Sequence, residues 1–139
     1  MDVVAVSELY KQLDGEHLHL LEDIYHSDVV FEDAAHRIEG RESLYRYFEN
    51  LYQNVHSCVF HISETHQSGN KGFIVWVMDL QHPKLNAGRA ISVHGVTHLT
   101  FADQKVIHHR DYFDLGEMLY EQLPLLGSVV RAIKRRLGQ

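Results

Sequence analysis

The sequence contains one cysteine, Cys58, and two prolines, Pro83 and Pro124, in 139 residues. A single cysteine excludes an intrachain disulfide, so nothing requires an oxidising compartment and we expect a cytoplasmic protein. The prolines are isolated, and no stretch rich in serine and glycine divides the chain. We therefore predict one main domain over residues 1–122, followed by a C-terminal helical segment over residues 123–139.

Long apolar runs are also missing, because no stretch approaches the roughly 18 residues that a membrane-spanning helix needs. The formal net charge is -6, from 13 basic and 19 acidic residues. Four of the cations lie in the last nine residues, at Arg131, Lys134, Arg135 and Arg136, so residues 1–130 carry 9 basic and 19 acidic residues. An acidic body of this kind argues against nucleic acid as a partner.

Glycine-rich phosphate-binding loops and the His or Cys spacings of metal motifs are absent, so we expect no cofactor and no metal. The 12 histidines do not alter this expectation. His94 and His98 on one strand would lie about 13 Å apart at 3.3 Å per residue, too far to share an ion. His108 and His109 would point to opposite faces of their strand.

Helical periodicity comes first along the chain, and strand periodicity follows it. The spacing predicts two short helices between Ser7 and Tyr25, with Ser7 as the first N-cap, and a third helix over residues 41–53. A short strand is predicted at residues 29–33. Four strands rich in Val, Ile, Phe and Thr are then predicted at residues 55–65, 72–82, 88–101 and 106–114. Helices followed by an antiparallel sheet predict an α+β fold with the helices on one face.

The last two predicted strands sort their side chains into two faces if they pair across a three-residue turn at residues 103–105. One face then collects mainly apolar residues: Ile91, Val93, Gly95, Thr97, Leu99, Ile107, His109, Asp111 and Phe113. The other face suits solvent or a partner subunit. On the preceding strand, we expect Trp76 and Met78 on the outer face, away from Val77 and Asp79. These exposed apolar side chains predict a homodimer through the outer sheet face.

Three motifs, together with the order of elements, carry a resemblance to a known family: Val30-Phe31-Glu32-Asp33, Gly40-Arg41-Glu42-Ser43-Leu44 and Arg110-Asp111-Tyr112-Phe113-Asp114-Leu115. The chain resembles the nuclear transport factor 2-like superfamily, and more narrowly its SnoaL-like branch, which includes polyketide cyclases. Limonene-1,2-epoxide hydrolase and ketosteroid isomerase are relatives. Over residues 7–122, the resemblance implies a cone-shaped, cystatin-like roll in which helices pack on a curved antiparallel or mixed sheet.

The same resemblance implies catalytic residues. Asp33 falls where ketosteroid isomerases keep a general base, and Asp111 falls where epoxide hydrolases and SnoaL-type cyclases keep an acid/base aspartate. Asp79 fits the second aspartate of the hydrolase triad, but Val77 stands where that triad has an arginine. Thr97 replaces the acid of the isomerase oxyanion hole. Neither complete active site of these relatives is present.

The strand positions of these carboxyls support a chemical role. An ionised carboxylate inside an apolar run is costly, which favours a neutral acid or a poised base. If Asp33 and Asp111 face one cavity, one would donate and the other accept a proton. The structural alternatives are that Asp33 caps the turn at residues 34–36, that Asp111 pairs with Arg110, Arg89 or a backbone amide, and that Asp79 is solvated.

A small apolar molecule is the expected occupant of the cavity. We predict that it contacts six residues on the inner surface: Phe31, Phe48, Val77, Thr97, His109 and Phe113. His109 would share the face of Asp111, two residues away, and orient that carboxyl. Cys58 has no neighbouring base and is expected to be structural.

The C-terminal segment places apolar residues on one helical stripe: Leu126, Val129, Val130, Ile133 and Leu137. The four cations lie mostly opposite. The favoured interpretation is a helix that closes the cone or bridges a dimer with its charges in solvent. The alternative is a basic amphipathic helix that contacts a membrane surface or an acidic partner.

Two hypotheses about function follow from these observations. The first is a cofactor-independent isomerase, cyclase or hydrolase that uses aspartate acid–base chemistry on a small apolar substrate. The second is a non-catalytic protein of the same fold that binds a ligand or regulates a partner.

Overall fold

The computed structural model describes residues 1–138, which form an α+β fold, as predicted. Its helices are α1 (Val3–Gln12), α2 (Leu20–Ile24), α3 (Arg41–Asn54), α4 (Leu115–Met118) and α5 (Leu126–Leu137). Its strands are β1 (Tyr25–Glu32), β2 (Arg37–Glu39), β3 (Ser57–Ser68), β4 (Lys71–Gln81), β5 (Ile91–Ala102) and β6 (Lys105–Phe113). They form one sheet in the order β2-β1-β6-β5-β4-β3, in which only β1 and β6 pair in parallel.

The first helix begins five residues before its predicted start. Asp2, not Ser7, is the N-cap, because its carboxylate accepts a hydrogen bond from the Ala5 backbone N–H at 2.9 Å. Ser7 lies buried inside α1, where its hydroxyl donates to the Val3 carbonyl at 2.9 Å. Within residues 1–138, no helix has both the length and the apolar composition to cross a membrane.

The first strand is also longer than its predicted range of residues 29–33. It starts at Tyr25 because it pairs with β6 from Val106 onward, a contact that local periodicity does not reveal. After a turn that follows Asp33, Arg37–Glu39 forms β2 against β1, a strand that the sequence did not predict. Gly40 then turns the chain into α3 with a φ of 88°, a conformation that glycine adopts without steric cost.

The hairpin between β5 and β6 keeps the predicted face for the site, although the predicted turn is wrong. Asp103 and Gln104 form a two-residue turn, in which Ala102 pairs with Lys105. An irregularity in β6 between the pairs Phe101–Val106 and Thr100–His108 then shifts the register by one residue. The shift pairs Thr97 with Asp111 and Leu99 with His109. The shift changes the position next to the turn: Val106 is fully buried, whereas Ile107, which was predicted on the inner face, is only half-buried.

Strand β4 presents the opposite face from the one predicted. Its inward side chains are large and apolar: Ile74, Trp76, Met78 and Leu80. Val77 and Asp79 lie on the outer face, where Asp79 contacts the imidazole of His61 at 2.9 Å. Strand side chains alternate, so one choice of face places all four apolar groups in the core and the carboxylate in solvent.

The helix α5 does not close the domain with its apolar stripe. The stripe faces away from the body, and Leu126, Val129, Ile133 and Leu137 are exposed. Lys134 instead faces the body, where it lies 2.8 Å from Asp114 and 2.9 Å from Glu121. The hydrogen bond from Lys134 is the main reason that the pKa of Asp114 lies below its usual value.

Candidate functional site

A cavity of about 310 Å³ lies between the inner face of the sheet, helix α3 and the segment around α4. It is lined mainly by apolar side chains, and its size falls at the lower end of the roughly 300–1,000 Å³ of typical small-molecule pockets. Five of the six predicted ligand-contacting residues line it: Phe31, Phe48, Thr97, His109 and Phe113. Two of the three predicted catalytic aspartates, Asp33 and Asp111, line it as well.

Asp111 lies at the wall of this cavity with its side chain 17% exposed. One of its oxygens, Oδ1, accepts two hydrogen bonds, from the Thr97 hydroxyl at 2.5 Å and from Nε2 of His109 at 2.7 Å. Within residues 1–138, no group donates to the second oxygen, Oδ2. The carboxyl is therefore held in one orientation through Oδ1, and Oδ2 is the oxygen left for a ligand.

His109 connects Asp111 to the protein core. Its imidazole is 2% exposed, and the hydroxyl of the fully buried Tyr25 lies 2.8 Å from Nδ1. Both ring nitrogens of His109 are therefore engaged, Nε2 by Asp111 and Nδ1 by Tyr25. The Tyr10 hydroxyl in turn hydrogen-bonds to that of Tyr25. Asp111 is thus not paired with Arg110 or Arg89, the partners of the structural alternative.

Both tyrosine hydroxyls remain protonated over the physiological range. Burial is the main cause that raises the pKa of Tyr10 and of Tyr25 well above the usual value, and the charge of Asp111 raises both further. A protonated hydroxyl can donate one hydrogen bond and accept others, so Tyr25 can contact Tyr10 and His109 at the same time. The contacts form a continuous chain that ends at Asp111.

Trp76 completes this network from the neighbouring strand. Its indole N–H can only donate, and it donates to the Thr97 hydroxyl at 2.8 Å. The Thr97 hydroxyl therefore turns its own proton towards Asp111. Sequence reasoning missed Trp76 and Tyr25 because the first was assigned to the wrong face and the second to a helix. The apolar character of residues 74, 76, 78 and 80 was a signal that could have placed Trp76 inside.

Asp33 has both of the roles that the sequence left open. Its Oδ1 accepts from the backbone N–H groups of Ala35 and His36 at 2.8 and 2.7 Å, as expected for a residue that caps a turn. Its side chain is also 9% exposed and lines the cavity. The hydroxyl of Tyr47 donates to Oδ2 at 3.2 Å. Asp33 therefore stabilises a turn and brings a second carboxylate to the cavity.

The parallel pairing of β1 and β6 brings both carboxyls to the cavity. Phe31 pairs with His109 and Glu32 pairs with Arg110, and Asp33 and Asp111 are the next residues along the chain. Burial and the nearby charges of Asp33 and Asp111 raise the pKa of the Tyr47 hydroxyl, so Tyr47 also remains a donor. The cavity is thus lined by two carboxyls among mainly apolar side chains.

Two predicted site residues lie outside the cavity. Val77 and Asp79 are on the outer face of the sheet, for the reason of strand alternation given above, and Asp79 is about half exposed. The three-residue hydrolase set implied by the resemblance is therefore not assembled here. Within residues 1–138, no three His, Cys, Asp or Glu side chains lie close enough together to hold a metal ion.

Cys58 lies in the cavity wall, and burial raises the pKa of its thiol to about 11. Because the thiolate is the reactive species, we expect alkylation of native Cys58 at pH 8 to be on the order of 10²-fold slower than for an ordinary thiol. Iodoacetamide labelling followed by mass spectrometry measures this rate. The same cysteine in denaturant is the control, and equal rates in the two states would contradict the assigned burial.

The geometry can be compared with known proteins. Residues 6–109 match the family described as the SnoaL-like domain. No curated protein has a sequence similar enough to match the chain. A nuclear transport factor 2-like protein of unknown function from Burkholderia pseudomallei superposes with a TM-score of 0.74 at 16% identity, covering 82% of this chain and 91% of its own.

Two further solved structures share the fold. A protein with a ketosteroid isomerase-like fold from Catenulispora acidiphila, in complex with trimethylamine, has a TM-score of 0.73 at 17% identity, covering 88% of this chain and 92% of its own. An epoxide hydrolase of the limonene-1,2-epoxide hydrolase-like type from M. tuberculosis has a TM-score of 0.72 at 19% identity, covering 94% and 95%. Such identities establish a common fold, and the match over residues 6–109 establishes the family. This chain belongs to the SnoaL-like domain family.

Proposed function

We propose that this protein is a cofactor-independent enzyme that moves a proton on a small apolar carbonyl compound, with Asp111 as the acid/base. The observation that carries the proposal is the orientation of Asp111. Its Oδ1 is held by Thr97 and His109, while Oδ2 has no partner within residues 1–138 at the wall of an apolar cavity. Every fully buried side-chain oxygen of residues 1–138 has a partner, so Oδ2 is accessible from the cavity and can contact a ligand there.

The buried network supports Asp111 as the base, because it holds the carboxyl in one orientation. Tyr25 engages Nδ1 of His109, so that Nε2 faces Oδ1, and Trp76 directs the Thr97 hydroxyl to the same oxygen. Both donors stabilise the carboxylate without occupying Oδ2. His109, Thr97, Tyr25 and Trp76 act as positioning residues in this proposal, since Asp111 is the group that touches the substrate.

The proposed step begins when Oδ2 of Asp111 removes a proton from a carbon next to the substrate carbonyl. The electron pair of the C–H bond forms the enolate, whose oxygen takes the negative charge and accepts a hydrogen bond. The Tyr47 hydroxyl can donate to that oxygen when it releases its hydrogen bond to Asp33. Asp33 takes no proton in this step, and its contact with Tyr47 positions that hydroxyl at the cavity.

Two outcomes follow from the same enolate. Return of the proton from Asp111 to a different carbon gives an isomer. Attack of the enolate carbon on a second carbonyl forms a carbon–carbon bond, and the resulting alkoxide takes the proton from Asp111, which gives a ring. Epoxide opening is disfavoured as the proposed reaction, because Asp79 and Val77 lie on the outer face and cannot complete the hydrolase triad.

Deuterium exchange tests the proposal without knowledge of the natural substrate. The protein is incubated in D₂O with a set of small cyclic ketones and 1,3-diketones, and deuterium next to the carbonyl is measured by mass spectrometry. We expect exchange above the uncatalysed rate for compounds that bind in the cavity, because abstraction and return of a proton replace hydrogen by deuterium.

A ligand that binds without any accelerated exchange would instead favour the second hypothesis, a non-catalytic protein that binds a small apolar molecule. The largely apolar wall of the cavity is consistent with binding in either case. Protein signals that shift on addition of the ketone, in nuclear magnetic resonance spectra, establish binding independently of exchange. The homodimer through the outer sheet face remains a proposal, supported by the exposure of Val59, Phe73 and Tyr112.

A further inference from the structure

The exposed stripe on α5 is the largest set of apolar side chains that the folded domain leaves uncovered on one helix. The most exposed residues of the stripe are Leu137 at 83%, Ile133 at 56% and Val129 at 54%. Leu125, which directly precedes α5, is 85% exposed. Over its length the stripe extends for about 16 Å at 1.5 Å per residue. An apolar surface of this kind, bordered by charged residues, marks an interaction site.

Polar contacts on the other side of α5 fix this orientation. Arg131 donates to the Glu121 carbonyl at 2.6 Å, and Lys134 bridges Asp114 and Glu121. Gly127 lies so close to the body that an added Cβ would meet the Glu121 carbonyl oxygen at 2.4 Å. The helix is therefore attached through its basic and small residues, and its apolar stripe is directed outward as a result.

The charge on the free part of α5 indicates the kind of partner. Within residues 1–138, no carboxylate lies within ion-pair distance of Arg135 or Arg136. The helix contains no acidic residue, so a second α5 packed on the same stripe would bring cations against cations. An anionic surface gives both parts of the helix a favourable environment, because it accepts apolar side chains and attracts arginine.

We propose that α5 docks on the surface of an anionic phospholipid bilayer. Leu126, Val129, Ile133 and Leu137 enter the boundary between headgroups and acyl chains, while Arg135 and Arg136 contact lipid phosphates. The acidic remainder of the chain, with 9 basic and 19 acidic residues over residues 1–130, is repelled by the same surface. Contact is therefore confined to the C-terminal helix.

Docking through α5 would also bring the cavity close to the membrane, and the use of that closeness rests on the proposed function. Leu115, Met118 and Leu119 line the cavity from the segment to which α5 is attached. An apolar substrate dissolves in the bilayer, so a protein docked through α5 holds its cavity close to the substrate supply. Vesicle binding itself does not depend on the catalytic proposal, since it requires no substrate and no reaction.

Co-sedimentation with vesicles tests the docking. The whole protein is mixed with vesicles of phosphatidylcholine alone or of phosphatidylcholine with phosphatidylglycerol, at low and physiological salt. We expect binding to the phosphatidylglycerol vesicles, which weakens as salt rises. Ile133→Asp should weaken binding by about tenfold or more, because it places a charge where an apolar side chain would enter the bilayer. The matched control is Val4→Asp on α1, since Val4 is 54% exposed and Ile133 is 56% exposed.

A second variant keeps the proposal testable by charge alone. Reversal of both free cations, R135E with R136E, should abolish the preference for phosphatidylglycerol without changing the apolar stripe. Wild-type protein that fails to sediment with these vesicles, or a Val4→Asp variant that loses binding as strongly as Ile133→Asp, would overturn the proposal. So would light scattering that shows a dimer of the wild type and a monomer of Ile133→Asp, which would assign the stripe to a second copy.

Discussion

Replacing Asp111 by asparagine should lower the rate of turnover by about 10²–10⁴-fold while the protein stays folded and still binds its ligand. Asparagine has the shape of aspartate, and its carbonyl oxygen can accept from Thr97 and His109 as Oδ1 does now. Its amide has no oxygen that can take a proton from the substrate. The rate of deuterium exchange and the affinity for the bound ketone, measured on the same samples, separate the two effects.

Asp79→Asn is the matched control, because it makes the same chemical change on the outer face of the sheet. We expect the exchange rate of this variant to equal that of the wild type. If Asp111→Asn exchanges as fast as the wild type, the assignment of Asp111 as the base is wrong. If exchange was never accelerated and only affinity changes, the protein is a binding protein, and the hydrogen-bonded network serves to shape its cavity.

Gly95→Ala should be the most destabilising small substitution in the sheet. A Cβ at residue 95 would lie 2.3 to 2.7 Å from three ring carbons of Trp76. The indole cannot easily move away, since it is 4% exposed and its N–H donates to Thr97 at 2.8 Å. Overpacking of this kind costs about 3 kcal/mol, which corresponds to a Tm lower by roughly 10 °C for a domain of this size.

Thermal unfolding followed by circular dichroism measures this effect, and Gly15→Ala provides the comparison. A Cβ at residue 15 would meet only the Cβ of Tyr52 at 3.4 Å, an ordinary contact. We expect the free energy of unfolding of that variant to stay within about 0.5 kcal/mol of the wild type. A Gly95→Ala protein as stable as Gly15→Ala would show that the Trp76 ring is not confined as described.

The effect of Gly95→Ala should extend to chemistry. Displacement of the Trp76 ring removes the donor that orients the Thr97 hydroxyl, so one of the two hydrogen bonds on Oδ1 of Asp111 weakens. Glycine at residue 95 is therefore part of the site although it has no side chain. The flat ring lies directly over the backbone of β5, and only a residue without a Cβ leaves room for it.

Local patterns in the sequence were sufficient for much of the fold. The stripe on residues 41–53 predicted α3 to within one residue of its end at Asn54, since helical spacing depends only on neighbours along the chain. An assumed pairing across residues 103–105 placed Thr97, His109 and Asp111 on one face, and the observed register shift keeps them there. The family resemblance carried by the motifs at Asp33 and Asp111 predicted that both carboxyls face one cavity, and both line it.

Contacts between distant segments were beyond those local patterns. The face of β4 depends on its pairing with β5, and apolar residues on its outer face weaken the alternation that identifies the buried one. The Tyr25 hydroxyl contacts His109, which lies 84 positions later in the sequence. The contact depends on the parallel pairing of β1 and β6, which no short turn connects. The orientation of α5 on the domain was likewise not readable from the sequence, since contacts of Lys134 and Arg131 decided it.

By itself the sequence determined an acidic α+β chain, the helices and strands with strong periodicity, and the two aspartates at the end of a sheet. Those properties depend on side-chain chemistry and on spacing over a few residues. The tertiary structure alone decided that Asp111 is oriented by His109 and Thr97, that Asp79 is excluded, and that the stripe of α5 faces outward. Each of these depends on which surfaces meet in space, and that choice is made by the free energy of the whole packed arrangement.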